Sequence, residues 1–136
     1  MGREVFVDAS AWVGVVLGKD QHHARATQIY RRLLSQQRPL VTTNLIIGEA
    51  YNGIRHYATQ AEAGRFVASV RESGRITRVY SDEELELEAE ALLRRYADHD
   101  FSLADAVSFV VMRHRRITDA FTFDRHFITA GFIQID

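Results

Sequence analysis

The chain alternates short β-branched or aromatic runs with longer amphipathic stretches. Glu4 to Val7 is a continuous apolar-rich run that stops at Asp8, which predicts a buried strand. Ser10 to Leu17 predicts a helix, and after Gly18 a second helix follows from about Gln21 to Gln36. Pro39 opens a short strand, Leu40 to Thr43, and Asn44 is an N-cap for a helix carrying Leu45, Ile46, Glu49 and Ala50. Thr59, with Glu62 three residues on, has the capping-box pattern for a helix through about Glu72. Arg75 to Tyr80 is the third strand. Ser81 caps a helix whose early residues Asp82, Glu83 and Glu84 suit the positive end of its dipole. Ser102 caps the next helix, with Asp105 in capping-box position and the apolar run Ala106 to Met112 behind it. Ile117 to Thr122 then reads as a strand, Asp124 caps a short helix, and Phe132 to Ile135 is a last strand.

Strands alternating with helices imply right-handed crossovers and a mostly parallel sheet covered on both faces, an α/β fold. The continuous apolar character of the strands fits burial on both sides. In such sheets, sites form beyond the carboxyl ends of the strands. Asp8 lies at such an end and Asp124 just past another, so chemistry is sought there.

Composition narrows the classes. A length of 136 residues suits one globular domain over 1–136, and one proline with 8 glycines leaves little room for linkers. The absence of cysteine excludes disulfides, thiolate metal sites and a cysteine nucleophile. The segment MGREVFVDAS has no apolar stretch of signal-peptide length. Gly2 is no myristoylation signal, because Phe6 stands where serine or threonine is required. Apolar runs such as Ala11 to Leu17 fall short of the roughly 20 residues that span a bilayer. No membrane association is expected, and the expected location is the cytoplasm. Seventeen basic residues nearly balance 18 acidic ones, yet Lys19 is the only lysine. Arginine's planar fork suits phosphate, and arginines cluster at Arg31-Arg32, Arg94-Arg95 and Arg113-His114-Arg115-Arg116. These clusters permit a nucleic-acid partner without establishing one.

Four acids carry the candidate chemistry. Asp8 and Asp124 have N-cap positions as their simplest alternative, Glu49 a solvent-facing position, and Asp105 the capping box alone. An unpaired carboxylate buried among Leu45, Ile46, Ile47 and Ala50, or among Ala104, Ala106 and Val107, costs several kcal/mol or more. Together the four acids fall after strands or near helix starts on one edge of one sheet. Clustered carboxylates raise one another's pKa unless a cation sits among them. A hard divalent ion, Mg2+ or Mn2+, takes oxygen ligands and fits this set. No histidine set has zinc spacing, and His22, His23, His56, His99, His114 and His126 read as surface or supporting groups. Such ions perform phosphodiester hydrolysis without a nucleophilic side chain. Ser10, Ser102 and Thr122 are placed to hydrogen-bond the acids or a phosphate oxygen, with plain capping the stronger role for Ser102.

Asp8-Ala9-Ser10 after a strand, Glu49 on the helix after the second strand, Phe101 to Ala106, and Thr122-Phe123-Asp124-Arg125-His126-Phe127 resemble, in this order and spacing, the PIN-domain nucleases. Within them the pattern is similar to the VapC-type toxins of bacterial toxin–antitoxin pairs, over essentially the whole chain. The resemblance implies a Rossmann-like three-layer α/β/α fold and a magnesium or manganese site built from Asp8, Glu49, Asp105 and Asp124. It further implies endonucleolytic cleavage of RNA, a homodimer, and a cognate VapB-like antitoxin whose carboxyl-terminal segment occupies the groove beside the acids. Asp98 and Asp100 are candidate auxiliary acids, and Asp119 competes with Asp124 for the fourth place. Trp12 and Tyr51 are groove candidates, with core packing the stronger reading for Trp12. A haloacid-dehalogenase-type phosphatase is the enzymatic rival, but it needs a second aspartate where Ser10 stands. A receiver-like module that binds a cation and a partner without catalysis is the rival from another class. It wants a strand-end lysine that this chain does not offer.

Overall fold

The structure is a computed structural model that describes residues 3–136; Gly2, weighed above for lipidation, lies outside the described residues. The element order is β1 (Val5–Val7), α1 (Ala9–Val16), α2 (His23–Ser35), β2 (Leu40–Thr43), α3 (Asn44–Tyr57), α4 (Gln60–Glu72), β3 (Ile76–Val79), α5 (Glu83–Arg95), α6 (Leu103–Arg115), β4 (Asp119–Phe121), α7 (His126–Thr129) and β5 (Ile133–Gln134). Five strands form one sheet in the order β3-β2-β1-β4-β5, and every ladder is parallel. The chain thus builds outward from β1 through β2 to β3, then returns to the other side of β1 to add β4 and β5. Right-handed crossovers place α1 to α4 on one face and α5 to α7 on the other. The packing agrees: α1 meets α2 and α3, α3 meets α4, and α6 meets both α5 and α7. The result is a three-layer α/β/α sandwich.

The strands are short because only their central residues carry the apolar run. Val5, Phe6 and Val7 are all fully buried. Between the sheet and α6, Phe109 meets Phe127 edge-on at 5.0 Å, and Phe127 lies 6.0 Å from Phe6. On the other face Trp12 packs against Phe66 at 5.6 Å and Tyr30 at 6.1 Å, with its indole N–H toward Thr42 Oγ1 at 3.4 Å. Trp12 is therefore a core residue, and Tyr51 is half-buried against the same core. Gly14 lets α1 and α2 approach closely, since a Cβ there would meet Ala26 Cβ at 3.0 Å.

Three helices begin on a cap residue other than the expected one, and a fourth, α4, keeps its expected cap but lacks half of its capping box. Thr43 caps α3, accepting from the Ile46 amide, while Asn44 is already helical and takes the Ser81 amide at 2.8 Å. Asp82 caps α5 by accepting from the Leu85 amide, so Ser81 does not. At Thr59 the hydroxyl accepts from the Glu62 amide, but Glu62 does not complete the reciprocal half of the box. The cap residue of α7 is Arg125, and Asp124 instead accepts the His126 amide at 2.9 Å. The Ser102–Asp105 capping box is present in full.

Candidate metal centre and active site

Strands β1 and β4 are adjacent, with Val7 opposite Phe121, so the segments leaving the two strands emerge at the same sheet edge. This is the point where strand order reverses, and there a crevice opens beyond the strand ends. Asp8 emerges from β1 and donates its amide to Phe121 O at 3.1 Å. Thr122, Phe123 and Asp124 emerge from β4. Asp105 comes from the first turn of α6, and Glu49 from α3, which begins directly after β2.

Asp8 precedes α1 at its N-cap position, yet its side chain makes no cap bond. Its Oδ2 instead accepts the hydroxyls of Ser10 at 3.0 Å and Thr122 at 2.9 Å. Thr122, buried, also accepts the Asp124 amide at 2.9 Å, so one hydroxyl ties Asp8 to Asp124. Ser10 Oγ accepts the Phe123 amide at 2.9 Å, fixing the start of the same loop. Burial pushes the Asp8 carboxyl up, the bonds from Thr122, the Ala9 amide and Ser10 pull against that, and the charge of Asp105 adds to the rise.

Asp105 does more than cap. Its Oδ2 accepts the Ser102 amide at 3.0 Å and the His126 ring at 2.8 Å, which leaves Oδ1 free of hydrogen bonds. Opposite an ionised carboxylate, which only accepts, Nδ1 of His126 would be the donor. The same ring nitrogen lies 3.5 Å from Asp124 Oδ1. Ligand atoms of Asp105, Asp124 and His126 lie within 4.8 Å of one another. Burial alone would lower the His126 pKa, but its bond to Asp105 and the charges of Asp124, Asp105 and Asp100 raise it overall. Ser102 reaches this cluster only through its backbone; its hydroxyl is spent on the Asp105 amide.

Glu49 stands at the solvent-exposed rim, lining one cavity of about 680 Å³ together with Asp124. Its carboxyl is pushed up to about 7, first by desolvation and then by the charges of Asp8, Asp105 and Asp124. Glu49 thus feels the other three acids named from the sequence, and Asp8 feels Asp105, although Asp8 and Glu49 stand outside the tightest trio. Asp119 does not belong here. It begins β4 opposite Val5, at the far end of the sheet, where Arg38 holds it at 2.7 Å. Asp98 is a surface residue, 88% exposed at its side chain. Asp100 reaches the site only as a distant charge on His126.

Of the histidines expected at the surface or in support, His126 takes the supporting part, at Asp105. The signal was present, since a ring two residues after Asp124 on a turn is free to swing back over the same site. The donor set is otherwise all oxygen and, among the described residues, no arginine or lysine makes an ion pair with any of the four acids. Such a set fits a hard divalent cation.

Residues 5–133 match the PIN domain family. The chain is 33% identical over 136 residues to the 23S rRNA-specific endonuclease VapC20 of Mycobacterium tuberculosis, in strains CDC 1551 / Oshkosh and ATCC 25618 / H37Rv, covering 96% of this chain and 97% of that protein. Its structure superposes on the crystal structure of Mycobacterium tuberculosis VapC20, described as a Sarcin-Ricin loop cleaving toxin, with a TM-score of 0.86. That superposition covers 96% of this chain and 98% of the other, at 30% identity. Sequence and fold therefore agree: this chain belongs to the PIN-domain family and, within it, to the VapC-type ribonucleases.

Proposed function

We propose that the protein is a Mg2+- or Mn2+-dependent endoribonuclease that acts as the toxin of a toxin–antitoxin pair, with residues 1–136 as one nuclease domain. The observation that carries the metal reading is a cluster of four mutually repelling carboxylates with no arginine or lysine paired to it. Asp8, Asp105, Asp124 and Glu49 would hold the ion, and magnesium or manganese there supplies an activated water and neutralises charge on the reacting phosphate. The chain's own groups prepare the site. Ser10 and Thr122 fix Asp8 through Oδ2, and Ser102 with His126 fixes Asp105 through Oδ2, which leaves Asp105 Oδ1 for the cation. His126 is thus a positioning residue. Glu49, at the rim, has its carboxyl pushed up to about 7 by desolvation and the neighbouring charges, and a cation held there would favour its ionised form.

The relative's action on 23S rRNA makes a ribosomal RNA loop the first substrate to try. A homodimer, a VapB-like antitoxin seated beside the acids and a cytoplasmic location complete the reading. No described helix is long and apolar enough to cross a membrane. The test is cleavage of an RNA pool with magnesium or manganese, against EDTA and Asp105→Asn. Discrete fragments lost in both controls are expected. Equal fragments from the variant would refute the assignment. The toxin role is tested separately by expression in bacteria, where active enzyme without growth arrest would count against it.

A further inference from the structure

The cavity beside the acids has a second chemistry that the metal centre does not use. Phe123, between Thr122 and Asp124, is half-buried and lines this cavity. His22 lies parallel on it, with centroids 4.2 Å apart and planes 1° apart. Phe123 in turn meets buried Phe121 edge-on at 6.2 Å, so aromatic rings run from the core to the surface beside the carboxylates. The backbone beneath both rings is held. The Phe123 amide is held by Ser10 Oγ at 2.9 Å, and the His22 amide by Asp20 Oδ2 at 2.9 Å. The same cavity is lined by Glu49, Asp124, Gln21 and Tyr57, the last 76% exposed, and at about 680 Å³ it has the size of a small-ligand pocket. A flat half-buried stack, an exposed tyrosine and an amide side chain beside the carboxylate cluster match what reads an unstacked base. Single-stranded RNA loops are recognised by stacking splayed bases on aromatic side chains, histidine included.

We propose that His22 on Phe123, with Tyr57 beside it, forms the seat for one unpaired nucleobase of the RNA strand whose phosphate meets the carboxylates. This rests on the endoribonuclease reading and adds a determinant of substrate choice to it. His22 carries the outer face of the stack, and Gln21 offers a donor and an acceptor to a base edge.

The test maps the cuts that the full chain, loaded with magnesium or manganese, makes in RNA hairpins with randomised loops. The proteins compared are the parent, His22→Ala, Tyr57→Ala, His22→Phe and the Asp105→Asn control, each checked for folding by thermal melting and for metal affinity by calorimetry. The parent is expected to prefer certain bases at one position beside the cut. His22→Ala should flatten that preference and lower kcat/KM roughly tenfold to a hundredfold, mainly through KM, with metal affinity retained. His22→Phe should restore both, and an abasic nucleotide at that position should cause a loss that does not compound with His22→Ala. Unchanged preference and efficiency in both alanine variants would overturn the proposal. So would a loss of metal affinity that tracks the loss of rate, which would make the stack a prop for the acids. Unchanged RNA kinetics with weakened inhibition by a protein partner would assign the face to protein docking instead. If the parent itself made no metal-dependent cut that Asp105→Asn abolishes, the endoribonuclease reading would fall first.

Discussion

Removing the charge of Glu49 should make the metal-free protein more stable while it disables the enzyme. In the unfolded chain this carboxyl ionises at its ordinary value of 4.5; in the fold it holds its proton to about 7, through desolvation first and the charges of Asp8, Asp105 and Asp124 next. Linkage sets the sign. Below 4.5 both states are protonated and Glu49 costs nothing; as pH rises from 4.5 through about 7, the unfolded state gives up its proton first, and stability is lost. A displacement of that size corresponds to roughly 3 kcal/mol. Because the side chain stands at an exposed rim, solvent screening reduces this to about 1–2 kcal/mol. Glu49→Gln should therefore raise the melting temperature of metal-free protein at pH 8 by about 3–8 °C, and leave it unchanged near pH 4. With metal the order reverses, since an ion at a hundred times its Kd stabilises the parent by about 2.7 kcal/mol and the variant by less. The assay is a set of melts of both proteins in EDTA and in magnesium or manganese, across pH 4 to 8. A variant no more stable than the parent at pH 8 in EDTA, or equally stabilised at pH 4 and 8, would refute the reasoning.

Other perturbations separate the roles of the supporting groups. Thr122→Val removes the hydroxyl from Asp8 and strands the Asp124 amide. It should cost about 1–3 kcal/mol in stability and about tenfold to a hundredfold in metal affinity by calorimetry, with Thr122→Ser close to the parent. His126→Ala should weaken metal binding by a similar factor, because Asp105 loses its 2.8 Å partner; His126→Gln, which can still donate, should recover part of it. Unchanged Mn2+ affinity in His126→Ala would show that Ser102 alone suffices to orient Asp105. Arg38→Met takes away the 2.7 Å partner of Asp119, leaves the exposed Arg3 at 3.6 Å, and should lower stability by about 1–3 kcal/mol in denaturant titration, while the protein still folded binds metal as before.

The β-strands were readable because each apolar run is short and bounded. Leu40 to Thr43 was placed to the residue, and Val5 to Val7, Ile76 to Val79 and Asp119 to Phe121 fell inside the expected runs. The helix starts were less legible. Thr43 against Asn44 and Asp82 against Ser81 are adjacent residues of equal capping ability, and the choice depends on which backbone extends first. Asn44 was drawn away by the Ser81 amide, a contact between residues 37 apart that no local pattern encodes. The acids were legible as a set because strand ends and helix starts meet at one sheet edge. What each carboxylate oxygen does was not, since the Thr122 bond to Asp8 joins residues 114 apart. The contact from His126 to Asp105 and the His22–Phe123 stack are not legible for the same reason: each depends on what the ring faces across the crevice.

The fold supplies its own control for the metal reading. Strands β1 and β4 carry two buried aspartates at opposite ends, Asp119 beside Val5 and Asp8 after Val7. Both face the same cost of taking a carboxylate out of water. Asp119 meets it with a resident cation, the Arg38 guanidinium at 2.7 Å, reinforced by Arg3 at 3.6 Å. Asp8 has two hydroxyls and the Ala9 amide, none of them charged, and the charge acting on it is another aspartate. Hydroxyl bonds orient a carboxylate without neutralising it, so the cost at that edge is left standing in the protein alone. A sequence with sixteen arginines has ample means to neutralise Asp8 permanently, as it does Asp119. Leaving the charge open at the edge where strand order reverses, and fixing the Oδ2 atoms of Asp8 and Asp105, makes sense where the counter-ion must come from solution. It must also leave coordination positions for water and phosphate, which a guanidinium cannot offer.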